Sequence, residues 1–345
     1  MYAATLLRKV YRYLVRPKDH WAHFLSILDE PTLKHNPVLD QAGKQVLFKR
    51  NITLVELEPH AFCNRTCSFC PNSTIDRLTV KTTLDHVLYE SILDDLAAIR
   101  YDKVLRFARY SEPMADDHIY DMVALARQRL PKANIDLVTN GDYLDAEALN
   151  RLREVGLSVL RISVYMRKGV VWTGTAAEDE ITRLGHRIAI DPVWDSPTPT
   201  TVGAVFPYTG MKIVVFSHNF DEVGYDRGQL IKGLVDPKFV RRSPCFLVFS
   251  NFTVDFNGKV MPCCNLRSDH PAHERFTLGD LSMRRESIFD IYANKMSTEW
   301  RRSLVTVSEK IYPCASCKQK TLEGTALEQL GTTVASKLHK IGVHV

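Results

Sequence analysis

From residue 52 the chain repeats one pattern: a short apolar run, a loop, then a charged stretch with apolar residues at helical spacing. "ITLVELE" (52–58) reads as a strand, with a helix near 83–99 behind it. "KVLRFARY" (103–110) with a helix near 115–129 is the second unit, and "NIDLVTN" (134–140) with a helix near 145–155 is the third. "SVLRISVYM" (158–166) is a fourth strand; "HRIAI" (186–190) and "MKIVVFS" (211–217) read as the fifth and sixth. Strands alternating with helical stretches are parallel βα units, arranged as an open sheet or a barrel. In such folds the working residues stand on loops at the C-terminal ends of the strands. Glu56, Glu58, Arg106, Arg109 and Tyr165 are candidate lining residues by strand position, although Glu58 and Arg109 read equally well as an internal ion pair.

Outside this repeat the pattern changes twice. Residues 4–15 read as an amphipathic, basic helix expected to pack on the body of the protein, with docking on a membrane surface or a partner as the alternative, and 17–48 read as polar and irregular, a wrapping segment. From about 240 the runs shorten, and "NGK" (257–259) between "TVDF" and "VMP" signals a hairpin. The expected division is an N-terminal extension (1–48), a βα body (49–240), a small appendage (241–320) and a helical, polar tail (321–345).

Composition narrows the function classes. The 345 residues are 45% apolar and 25% charged, ordinary for a soluble globular protein. A net charge of +5 suits an anionic cofactor or substrate and does not argue for nucleic acid. No run approaches the roughly 18 apolar residues of a membrane span. Arg8, Lys9, Arg12 and Arg16 interrupt the apolar positions of the N-terminus, which therefore lacks the core of a secretory signal. The eight cysteines are accordingly expected in a reducing cytoplasm, in metal or redox roles.

"HAFCNRTCSFCPNS" (60–73) places Cys63, Cys67 and Cys70 on the loop after the first strand. Three thiolates can hold three irons of a 4Fe–4S cube and leave the fourth open; the alternative is zinc with a distant fourth ligand. CxxxCxxC with Phe69 before its last cysteine resembles the signature of the radical S-adenosylmethionine (radical SAM) superfamily. The resemblance covers roughly residues 50–220 and implies a partial (β/α)6 barrel. It also implies that S-adenosylmethionine chelates the open iron and is cleaved to a 5′-deoxyadenosyl radical. "RYSEP" (109–113) is similar to the segment that binds the methionine amino group, with the usual glycines replaced, which implicates Ser111, Glu112 and Pro113. "TNG" (139–141), with Thr139 and Asn140, and Ser163 in "RISVY" resemble positions that contact the carboxylate or ribose.

Near the C-terminus, Cys245 and Cys263 flank Gly258, and Cys314 and Cys317 form a CxxC. This layout resembles the SPASM and Twitch extensions of radical SAM enzymes. With no cysteine after Cys317, the shorter Twitch form is expected. That implies one auxiliary 4Fe–4S cluster on Cys245, Cys263, Cys314 and Cys317, with structural zinc as the alternative. The layout is similar to that of Twitch dehydrogenases acting on an aminocyclitol. Cys264 is left over, as a small buried residue beside the cluster or as a hydrogen-atom donor. "EVGYDRGQL" (222–230) is a candidate adenine or substrate segment, or only a turn. The expected activity is radical oxidation of a carbon on a sugar, cyclitol or nucleoside, with electrons from a carrier such as flavodoxin or ferredoxin. Epimerisation of such a carbon and modification of a peptide are the alternatives.

Overall fold

The computed structural model describes residues 17–167 and 169–343; the helix expected over 4–15 lies outside the described residues. Segment 17–48 is helical rather than irregular, forming α1 (Pro17–Ser26), α2 (Glu30–Leu33) and α3 (Gln41–Asn51). Asp29 and Asp40 accept from Thr32 N and Gly43 N at the starts of α2 and α3. Such caps begin helices where apolar periodicity is weak.

The repeat then runs β1 (Leu54–Leu57), α4 (His86–Ala98), β2 (Val104–Phe107), α5 (His118–Arg129), β3 (Asn134–Thr139), α6 (Ala146–Glu154) and β4 (Val159–Ser163). Residues 186–190 are not a strand. Most of them end α7 (Gly174–Ile188), capped by Thr173, in which Ala177, Ile181, Leu184, Gly185 and Ile188 are buried. That spacing continues a helical stripe, so the apolar pair at its end belongs to the helix face. The chain next forms β5 (Val193–Trp194), β6 (Thr201–Phe206) and β7 (Lys212–His218), with β6 antiparallel to both neighbours.

The missing parallel strand comes from the C-terminal segment. β8 (Asn251–Val254) lies parallel to β1, so the C-terminal segment expected as a small appendage also contributes a strand to the main sheet. The sheet order is β10-β9-β8-β1-β2-β3-β4-β7-β6-β5, with β9 (Lys259–Met261) and β10 (Gly279–Asp280) as antiparallel additions at one edge. The fold is α/β, a partial barrel around six parallel strands. The "NGK" hairpin forms between β8 and β9. Gly258 has φ +80°, and a Cβ there would come within 2.8 Å of Leu88 and 3.0 Å of the Ser282 nitrogen, so only glycine lets the turn dock on α4.

Two cores result. The larger packs the apolar face of the sheet against α4–α7. The smaller joins Phe24, Ile27 and Leu28 of α1 and its exit with Phe246, Phe249, Leu304 and the C-terminal helix (Gly324–Lys340), against Cys245, Cys263, Cys264 and Cys314. No helix among the described residues is long and apolar enough to cross a membrane.

The barrel interior is charged. Thr253, Glu56, Arg106 and Asp136 stand in register across β8, β1, β2 and β3, and Asp136 accepts from Arg106 at 2.8 Å and Arg161 at 2.7 Å. Glu58 and Arg109 are both in ion pairs, but not with each other: Glu58 takes Arg77 and Arg109 takes Asp255. Glu58 is fully buried and accepts from Arg77 Nη1 and Tyr110 N, each at 3.1 Å, and from Phe256 N at 3.4 Å. Arg77 also holds Ala61 O at 2.6 Å and Asp269 at 3.1 Å. Removing one member of a buried pair strands the other charge, at about 3–5 kcal/mol. Arg77→Met is therefore expected to lower stability by about that amount in chemical denaturation of the holoprotein. Glu58→Gln/Arg77→Met should recover part of the loss, and a single Arg77→Met loss below about 1 kcal/mol would contradict the role.

Candidate active site and cluster ligands

The cysteine loop leaves β1 and closes on itself through Cys63 N to Arg77 O at 2.9 Å, while Glu112 N reaches Phe62 O at 2.9 Å. Cys63, Cys67 and Cys70 line one cavity of about 320 Å³ at the C-terminal ends of the parallel strands. Burial pushes the Cys63 thiol up to about 12 and Cys67 up to about 11, so iron binding there has to displace protons. No group of three or more His, Cys, Asp or Glu among the described residues is gathered to hold one metal ion; these three thiols face open cavity instead.

The same cavity is lined by Phe69, Ser111, Glu112, Thr139, Asn140 and Ser163. Pro113 does not line it; it opens a short 3-10 turn behind Glu112. Not all the lining groups are available to a ligand. Glu112 accepts from Thr139 Oγ1 and Asn140 N, both at 2.6 Å, and from Met114 N at 3.1 Å. Burial pushes its carboxyl up to about 7 against the pull of those donors. It is a strut between the ends of β2 and β3. The Asn140 amide is likewise engaged, donating to Asn64 Oδ1 at 2.8 Å and accepting from Asp142 N at 2.9 Å. Arg65 and Asn64 bind Asp142 at 2.6 and 2.7 Å, so the cysteine loop is pinned to the β3 exit. Ser111 differs from these, because its Oγ is buried without any partner. Phe69 stacks on Phe220 at 3.8 Å and tilts against Tyr165 at 5.2 Å, giving the cavity an aromatic wall.

The lining also brings in residues from elsewhere in the barrel and from the C-terminal segment. Glu56, Arg109, Tyr110, Arg227 and Cys264 belong to it. Arg109 and Tyr110 leave β2 and hold the carbonyls of Cys263 (3.3 Å) and Cys264 (2.9 Å). Arg109 has φ +88°, a conformation costing about 1–3 kcal/mol that survives only where surroundings impose it. Its bonds to Asp255, Leu266 O and Cys263 O impose it. Segment 222–230 contributes Arg227, presented by three successive positive φ angles at Arg227, Gly228 and Gln229. Arg227 Nη1 donates to Asn265 at 2.9 Å, and Gly228 O is bonded to His273 at 2.9 Å. Arg106 stays on Asp136, outside the lining.

Cys245, Cys263, Cys314 and Cys317 gather from three segments, and all are unpaired thiols. Burial raises the Cys263 thiol, with Cys264, Cys314, Cys245 and Cys317 close enough to add to the effect. Arg241, buried, organises this cluster of thiols. It donates to Ser243 O (3.0 Å), Pro244 O (2.6 Å), Cys317 O (3.0 Å) and Gln319 O (2.8 Å), tying the Cys245 turn to the CxxC loop. Burial raises the Cys314 thiol, and the charges of Arg241 and Lys310 pull the other way. Neither Arg241 nor Arg227 has a spacing that the sequence alone makes readable.

A three-thiol loop with a free position, beside an unpartnered Ser111 hydroxyl, fits a cluster that leaves one iron for a second ligand. Four neighbouring thiols with two cations fit a closed cluster. The chain carries two domains with known relatives: residues 57–166 match the Radical SAM superfamily and 245–318 the SPASM family, an iron-sulfur cluster-binding domain. Among characterised proteins it is similar to an S-adenosyl-L-methionine-dependent 2-deoxy-scyllo-inosamine dehydrogenase of Niallia circulans, 24% identical over 253 residues, 73% of this chain and 86% of that one. Among solved structures it resembles that of BtrN in complex with AdoMet and 2-DOIA, with a TM-score of 0.52, 21% identity, and coverage of 73% of this chain and 87% of the other.

Anaerobic reconstitution of the full chain is expected to load about eight irons and eight sulfides. A Cys63→Ala/Cys67→Ala/Cys70→Ala variant should keep about half the iron and lose all cleavage of S-adenosylmethionine. Cleavage at the wild-type rate by that variant would overturn the ligand set.

Proposed function

We propose that the protein dehydrogenates an alcohol-bearing carbon of a small sugar, cyclitol or nucleoside, with one 4Fe–4S cluster on Cys63, Cys67 and Cys70 and an auxiliary one on Cys245, Cys263, Cys314 and Cys317. The observation that carries the reading is that one cavity is lined by the three-thiol loop and also by Cys264, the neighbour of Cys263. A substrate there stands between the two thiol sets. When bound, the first cluster and S-adenosylmethionine supply a 5′-deoxyadenosyl radical, and the second supplies a one-electron acceptor. An external carrier of the flavodoxin or ferredoxin class supplies the electron that starts each turnover.

The chain's own residues bind, orient and exclude water. Ser111 Oγ is the hydroxyl left for the methionine end of S-adenosylmethionine, and Ser163 is the one nearest the family's ribose position. Phe69, Tyr165 and Phe220 give the reacting region apolar lining, and Arg227 offers a polar partner to a hydroxylated substrate. The similarity to a 2-deoxy-scyllo-inosamine dehydrogenase supports a small polyol over a peptide.

Cys264 favours a second reading, because its place in the cavity lining also suits a hydrogen-atom donor. In an epimerase, its thiol would deliver hydrogen to the substrate radical from the face opposite abstraction. The two chemistries separate in deuterated water. Epimerisation places one solvent deuterium at the inverted carbon and is stopped by Cys264→Ala. Dehydrogenation incorporates none there, uses one S-adenosylmethionine per product and tolerates the substitution.

Cys314→Ala/Cys317→Ala tests the auxiliary role. Under the dehydrogenase reading, formation of 5′-deoxyadenosine stays within about threefold of wild type while ketone falls at least about 100-fold. Normal ketone formation in this variant would refute electron transfer through the auxiliary site.

A further inference from the structure

The carboxylates inside the barrel are paired with one exception. Asp136 holds two arginines, Asp255 holds Arg109, Glu58 holds Arg77, Asp142 holds Arg65, and Glu112 accepts three donors. Glu56 is only 6% exposed, and its Oε2 is buried with no donor. The next residue in register, Thr253, also has an unpartnered, buried hydroxyl. Arg106 and Arg109 lie close enough for the Glu56 charge to act on them, but neither bonds its Oε2, and Glu56 lines the cavity that Cys264 and Arg227 also line. Glu56 is close enough to Cys264 for its charge to act on that thiol. Arg227 Nε is a second buried polar atom without a partner.

We propose that Glu56 is the base that takes the substrate's hydroxyl proton during oxidation, an assignment that rests on the dehydrogenase reading above. Loss of the C–H hydrogen to the 5′-deoxyadenosyl radical leaves an α-hydroxyalkyl radical, whose O–H is far more acidic than that of the parent alcohol. The O–H bond breaks, the proton bonds to the Glu56 carboxylate, and the second C–O bond forms. A cluster held by Cys245, Cys263, Cys314 and Cys317 would accept the remaining electron and pass it to an external one-electron carrier of the flavodoxin or ferredoxin class. Proton and electron therefore depart toward neighbouring residues, Glu56 and the Cys263–Cys264 pair. Arg227 supplies a guanidinium to the oxygen as charge develops on it.

The test uses the reconstituted full chain with S-adenosylmethionine, dithionite and a panel of polyols that includes 2-deoxy-scyllo-inosamine. With a panel member that the wild type converts to ketone, Glu56→Gln is expected to lose about 100-fold or more in ketone formation. Its 5′-deoxyadenosine formation should stay within about twofold, and an organic radical should accumulate in electron paramagnetic resonance. Glu56→Asp should recover about tenfold of the loss. Unchanged iron content shows that the glutamine variant is folded, and substrate affinity within about threefold by calorimetry separates proton transfer from binding. Loss of affinity that accounts for the whole defect, or undiminished ketone from Glu56→Gln, overturns the assignment and leaves the dehydrogenase reading standing. No ketone from the wild type on any panel member overturns that reading and the role of Glu56 with it.

Discussion

The Glu58 carboxylate has no exposed surface, and three separate parts of the chain donate to it: Arg77 from the far end of the cysteine loop, Tyr110 from the exit of β2, and Phe256 from the β8–β9 turn. One anion thus fixes where the first thiol set, the candidate cofactor segment and the C-terminal segment sit relative to one another. Around it, Arg267 grips Asp269 at 2.7 Å and Asn72 at 3.2 Å, and Asn72 reaches Tyr110 O at 2.7 Å. Burying this much charge is costly unless every partner is in place. The arrangement therefore gives specificity of assembly more than stability, because a displaced segment leaves an unpaired buried ion.

This explains how one cavity is lined both by the three-thiol loop and by Cys264 from the C-terminal segment. β8 joins the main sheet beside β1 and β9 runs back antiparallel to it, so Cys263 and Cys264 follow on the β8 side of the sheet. Arg109 and Tyr110 then hold the Cys263 and Cys264 carbonyls. The positive φ of Arg109 is the local consequence: the backbone is bent so that one side chain can serve Asp255, Leu266 O and Cys263 O together.

How legible this was in the sequence depended on the range of each signal. The three-cysteine spacing, the four βα units and the "NGK" hairpin are local patterns, and β1 to β4 form within the runs expected. Residues 186–190 misled because two isoleucines in five residues satisfy strand and helix patterns alike; only the upstream Ala177 and Ile181 give the period of the helix. The completion of the sheet by β8 was invisible, since a four-residue strand carries no mark of its partner. Among the lining residues, Ser111, Thr139, Asn140 and Ser163 were found by motif. Glu112 and Asn140 face the cavity but are occupied as struts. Arg227 falls in segment 222–230, which was singled out as a stretch without any one residue being named, whereas Arg241 was missed because a guanidinium role set by tertiary contacts leaves no spacing behind.

The charge layout of the barrel carries the remaining step. Each paired carboxylate fixes a piece of backbone: Asp136 the strand interior, Asp255 the β2 exit, Asp142 the cysteine loop, Glu58 the junction of segments. Their ions are committed, so their protonation cannot change without loosening what they hold. A group that exchanges protons in every turnover has to be free of such duties, and it has to face the cavity. Glu56 meets both conditions on β1, and its strand neighbour Glu58, two residues on, meets neither. Strand periodicity puts both on the same inner face of the sheet; the donors gathered on Glu58, and absent from Glu56 Oε2, separate a structural carboxylate from a chemically available one.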